Sequence, residues 1–116
     1  SREPTIWRFD IGDDGALSNK RPFARLIEPD NPFDKDRRRG YADGMTMDTE
    51  GNIYVATCFG IVVFNSAGAF IGTIYLPKSP FHCVFGGNEL STLFAVCGNM
   101  VYSVKTNKHG YRYPIQ

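Results

Sequence analysis

The sequence predicts an all-β fold assembled from short, repeated sheets. Three observations carry this. The apolar runs are brief and rich in β-branched and aromatic residues. Clusters of Gly, Asn, Asp and Ser separate them. No stretch keeps the i, i+3, i+4, i+7 apolar spacing of an amphipathic helix. The 116 residues suit one domain, and 42% hydrophobic with 22% charged residues is ordinary for a chain that folds around a core.

In chain order, Thr5 to Ile11 is the first strand, ended by the turn Gly12-Asp13-Asp14-Gly15. Glu28 to Tyr41 reads as a loop, because it holds Pro29, Pro32 and the charged run Asp34 to Arg39. Its three arginines admit two readings, a phosphate-binding patch or a solvated loop; the interspersed acids favour the loop. Gly44 to Asp48 leads through the turn Glu50-Gly51-Asn52 to a strand over Asn52 to Thr57. Gly60 to Asn65 follows, then the turn Asn65-Ser66-Ala67-Gly68 and a strand over Ala69 to Leu76. Cys83 to Gly87 leads past Gly86-Gly87-Asn88 to Thr92 to Val96, then to Asn99 to Val104.

The second and third groups are copies of one another. Tyr54 and Phe94 lie 40 residues apart, Ile61 and Met100 lie 39 apart, and Ile6 to Asp10 looks like a further copy of Ile61 to Asn65. A period of about 40 residues with four strands per unit is the mark of propeller blades. Blades stack face to face, so their middle strands are covered on both sides and read as unbroken apolar runs, as Ile61-Val62-Val63-Phe64 does. An ordinary β-sandwich is the rival architecture, because this length suits it.

Composition excludes several functions. Thirteen Lys and Arg against twelve Asp and Glu leave a formal charge of +1, so no electrostatic footprint for nucleic acid or an anionic membrane is expected. No apolar run reaches the roughly 20 residues that span a bilayer. Ser1-Arg2-Glu3-Pro4 opens no secretory leader, which leads to the expectation of a cytoplasmic protein. Cys58, Cys83 and Cys97 are odd in number and lack CxxC spacing. Each lies in an apolar stretch, so all three are expected to be buried free thiols in a reducing compartment. There is no G-x-S-x-G, H-E-x-x-H or phosphate-loop motif.

The segment Ala42-Asp43-Gly44-Met45-Thr46-Met47-Asp48, continuing through Gly51-Asn52-Ile53-Tyr54-Val55-Ala56, resembles the gluconolactonase, senescence-marker-protein and luciferin-regenerating-enzyme family. Gly72 to Pro77, Val84 to Gly87, Thr92 to Phe94 and Val101 to Val104 extend the resemblance over nearly the whole chain. It implies a partial β-propeller of two to three blades out of the family's six. Residues 1–27 would end one blade, 28–41 form a loop, 42–80 make a blade and 81–116 the last one.

The resemblance also implies metal-dependent hydrolysis of a sugar lactone. The cofactor would be a divalent ion, calcium first, with zinc or magnesium as alternatives. Asp43 matches the family residue that binds the axial ion and serves as general base; read alone, it is an Asx residue capping a turn at Gly44. The family's other ligands, a Glu and a PNG-type Asn, have no match here and are expected upstream of Ser1. Strand direction puts Cys58, Phe59 and His82 beside Asp43 as candidate substrate contacts, with His82 standing where the family often has Asn or Ser. His109, next to Gly110, reads as an exposed turn residue. The competing class is a non-catalytic binding or structural fragment that self-associates through uncovered blade faces, and the expected partners are a lactone, further copies or upstream blades.

Overall fold

The computed structural model describes residues 5–26 and 42–112. Nine strands form three antiparallel sheets among these residues. β1 (Thr5–Ile11) pairs with β2 (Leu17–Arg25). β3 (Met45–Met47), β4 (Ile53–Thr57), β5 (Gly60–Phe64) and β6 (Phe70–Ile74) follow one another in a four-stranded sheet. β7 (His82–Gly86), β8 (Thr92–Cys97) and β9 (Met100–Lys105) form the third. The helical content of the described residues is one 3-10 turn at Asn88–Leu90, and no described helix is long and apolar enough to cross a membrane.

The middle sheet holds the molecule together because it is covered on both faces. Successive side chains of a strand point to opposite faces. Val55, Val62 and Phe64 meet Ile6, Ala24 and Leu26 on one side. Tyr54, Ile61 and Val63 meet Cys83, Phe85, Leu93, Ala95 and Cys97 on the other. All five residues of β5 are therefore buried, which explains an apolar run without polar alternation. Tyr54 and Phe85 pack edge to face across the second core, with ring centroids 5.0 Å apart.

The turns are held by the residues that announced them. Asn65 accepts hydrogen bonds from the amides of Ala67 and Ala69 through Oδ1, and Asp14 Oδ1 accepts from Ala16. The segment after β9 folds back so that Gly110 bridges to Asp48, and Thr49 donates to the carbonyl of His109. Gly110 is required there, because a Cβ at this position would collide with Phe85.

Some expectations change. β2 was not foreseen as a strand. It is an outer strand of charged and exposed residues, Lys20-Arg21-Pro22 among them, and so lacks an apolar pattern. The third sheet shows three strands and the first shows two among the described residues, where the repeat implied four. Cys58 is exposed, contrary to the expectation that all three thiols are buried; it sits in the β4–β5 turn, while Cys83 and Cys97 point into the core from sheet interiors. The loop predicted over 28–41, with its arginines, lies outside the described residues.

Two outcomes follow from this packing. Ile61→Ala removes a fully buried side chain and should lower unfolding free energy in urea by roughly 2–5 kcal/mol, while Val101→Ala, at an exposed site, should change it by about 0.5 kcal/mol or less. In a thiol-labelling experiment on the native protein, Cys58 should react first. Cys83 and Cys97 should react only on unfolding, since burial pushes both thiols up in pKa, that of Cys83 to about 11.

Candidate functional site

The inner strands β3 and β7 lie side by side and start at the same end of the molecule. Asp43 and Gly44 enter β3 there. The Asp43 amide donates to the Ala56 carbonyl at 2.9 Å, and the Ala56 amide donates to the Gly44 carbonyl at 2.9 Å. The Gly44 amide crosses to the next sheet and donates to the Phe81 carbonyl at 2.9 Å. This last bond ties the two inner strands together at their mouth. It also puts the His82 ring against Gly44 so closely that a Cβ on residue 44 would overlap the imidazole. Glycine at position 44 is thus what lets the His82 ring pack against the start of β3.

The turn after β4 reaches the same end. Thr57 donates from Oγ1 to the Gly60 carbonyl and accepts from the Phe59 amide, shaping the loop that carries Cys58 and Phe59. Ser79 donates to the Cys58 carbonyl at 2.9 Å and so links that loop to the approach to β7. Phe81 donates to Val96 near the end of β8. Asp43, His82, Cys58 and Phe59 therefore gather at one end of the inner strands. Asp43, His82 and Cys58 are exposed, and Phe59 is half-buried. His109 lies at the other end, exposed, with Nδ1 2.9 Å from the Glu89 carbonyl.

Sequence reasoning passed over a second carboxylate. Asp48 is fully buried at the far end of β3. Its Oδ1 accepts from the amides of Glu50 and Asn52 at 2.9 and 3.0 Å. Its Oδ2 accepts from Asn52 Nδ2 and the Tyr54 hydroxyl, each at 2.8 Å. Burial works to raise its pKa, and these four bonds outweigh burial and hold the carboxyl below its ordinary value. Tyr54 is shifted upward, first by burial and then by donating to Asp48. The signal in the sequence was the spacing Asp48, Asn52, Tyr54, an Asx turn followed by an inward tyrosine. With every lone pair used internally, Asp48 is a structural acid that closes the lower turn.

A metal ion sets a stricter condition. Calcium takes six to eight oxygen ligands. Among the described residues, no group of three or more His, Cys, Asp and Glu is placed to hold an ion, and Asp43 offers one carboxylate at the mouth. The described residues therefore do not constitute a metal site by themselves.

The model of the SMP-30/gluconolactonase/LRE-like region matches residues 1–98. The chain belongs to this family. It is 31% identical over 109 residues to a gluconolactonase of Zymomonas mobilis, covering 92% of this chain and 30% of that protein. It is 32% identical over 91 residues to regucalcin of Danio rerio, covering 74% and 27%. A luciferin-regenerating enzyme structure superposes with a TM-score of 0.74 at 24% identity, over 94% of this chain and 40% of that one. The three sheets are accordingly part of a β-propeller, not a closed two-sheet sandwich, and the chain spans about a third of the length of the curated relatives it matches.

The Asp48 network makes stability depend on pH at both limits. A carboxyl lowered in the folded state contributes stability above its unfolded pKa of about 4, and this is lost as pH falls through the folded value. A phenol raised in the folded state contributes below about pH 10, and that is lost as pH rises further. Tyr54→Phe should cost roughly 1.5–3 kcal/mol at neutral pH. The variant should also flatten the alkaline decline in thermal midpoint, read by scanning calorimetry from pH 7 to 11.

Proposed function

We propose that the protein hydrolyses a sugar lactone, with the mouth formed by Asp43, Gly44 and His82 contributing to the site. The observation that supports this reading is the hydrogen bond from Gly44 to Phe81, which joins the starts of the adjacent inner strands that carry the exposed residues Asp43 and His82. The similarity to a gluconolactonase, over nearly the whole chain but only 30% of that protein, supports it.

In this reading the Asp43 carboxylate takes a proton from water as its oxygen adds to the lactone carbonyl. The tetrahedral adduct then collapses, the ring C–O bond breaks, and the departing oxygen recovers the proton, leaving a hydroxy acid. His82, Cys58 and Phe59 contact the sugar from the surrounding loops. A divalent cation, calcium first and zinc or magnesium next, belongs to the reading as a Lewis acid toward the carbonyl. Asp43 would be one ligand, and the others would come from outside the described residues. The substrate is a small molecule, not nucleic acid or membrane, and three free thiols suit a reducing, cytoplasmic setting.

A specific observation favours a second reading. The far face of the third sheet leaves Val84 and Val101 exposed, as a non-catalytic fragment that self-associates would.

The two readings separate in one assay of the protein with added calcium, zinc or magnesium. Ring opening of a gluconolactone should be faster than in buffer, and Asp43→Asn should reduce kcat by at least about a hundredfold while leaving the thermal midpoint within 2 °C. Lactone turnover indifferent to Asp43, or none with any of the ions, would contradict the enzymatic reading.

A further inference from the structure

Phe81 immediately precedes β7, and its backbone is held from two sheets. Its amide donates to the Val96 carbonyl of β8 at 2.9 Å, and its carbonyl accepts from the Gly44 amide at the start of β3 at 2.9 Å. Neither bond uses the side chain, and the residue is 45% exposed. The ring belongs to neither hydrophobic core. Among the described residues, no other ring and no cation packs against it.

Single exposed apolar side chains are ordinary on a protein surface, so exposure alone assigns nothing. The place of this one is what counts. Successive strand residues alternate between faces. Phe81 has the parity of Cys83 and Phe85, which pack in the core shared with the middle sheet. It continues their row past the end of that core and out at the mouth. The second and third sheets both hold it, so its exposure differs from that of Val84 and Val101 on the uncovered far face. Asp43, His82 and the turn bearing Cys58 and Phe59 gather at the same end.

We propose that Phe81 is a specificity-determining substrate contact, its ring lying against a face of C–H groups on the lactone. The inference rests on the lactone reading above and adds to it how the non-reacting part of the sugar is recognised. A sugar ring carries its hydroxyls around the rim and leaves C–H groups on its faces. An aromatic ring covers such a face by apolar burial and dispersion. Small-molecule sites combine apolar walls of this kind with a few polar groups, here Asp43 and His82. The backbone of Phe81 is already fixed by its two bonds, so little order has to be imposed when a ligand arrives. The C–H face is unchanged while the carbonyl is attacked. The contact therefore holds bound lactone and transition state alike, and acts on KM and not on kcat.

Steady-state hydrolysis of a gluconolactone by the full protein with added calcium, zinc or magnesium tests this. The variants are Phe81→Ala, Phe81→Tyr and Asp43→Asn, with Tyr75→Ala removing an exposed ring just beyond the outer strand β6. Phe81→Ala should raise KM at least about tenfold and leave kcat within about twofold. Phe81→Tyr keeps the ring and should return KM to within about threefold of the parent, and Tyr75→Ala should leave it unchanged. Because the Phe81 ring is partly exposed, the thermal midpoint of Phe81→Ala should stay within about 3 °C of the parent. An unchanged KM in Phe81→Ala, with turnover that still needs Asp43, would overturn this proposal and leave the lactone reading standing. A loss confined to kcat, or one that Phe81→Tyr does not restore, would give the ring a structural role and also overturn it. Turnover that is absent, or indifferent to Asp43, would overturn the lactone reading and this proposal with it.

Discussion

Everything in this molecule depends on a sheet that must be buried twice. β4 and β5 have apolar side chains on both faces, so neither face can be left to water. The β1–β2 hairpin covers one and the β7–β9 sheet covers the other. At about 25 cal/mol per Å² of apolar surface, two such interfaces supply the main driving force for the chain. Because the sheets stack face to face instead of closing edge to edge, their inner strands converge, and β3 comes to lie against β7. The placement of the mouth residues follows from that stacking.

The two aspartates near β3 sit in opposite surroundings. Asp48 is buried and accepts four hydrogen bonds from its own turn and from Tyr54, so its charge is fully used in closing the lower end. Asp43, at the other end, is exposed and engages its neighbours through its backbone amide. The role proposed for Asp43 requires the second condition. Gly44 supplies the remaining constraint, since any larger residue would displace the His82 ring.

Much of this was legible in the sequence because the governing pattern is local. The unbroken run Ile61 to Phe64 predicted a strand covered on both sides, and the spacing of Tyr54 and Phe94 predicted stacked copies. The turn at Asn65 to Gly68 was legible through its Asx residue. β2 was not, since an outer strand facing solvent with a bulged register has no period to read. Cys58 misled because its neighbours are apolar while its own position is a turn, and local composition does not report which way a turn residue points. The Asp48 carboxylate escaped notice because its partner, the Tyr54 hydroxyl, is on the next strand, and Tyr54 was read only as a marker of the repeat.

The central claim is that a sugar lactone meets this protein at the mouth where β3 and β7 begin. Titrating the isotope-labelled protein with a sugar lactam, an unreactive counterpart of the lactone, and following backbone amide resonances tests it most directly. The account predicts shifts concentrated at Asp43, Gly44, Phe59 and His82, with the amides around Asp48 and along β6 unmoved. Shifts centred on the Asp48 turn or the outer strands, with the mouth silent, would contradict it.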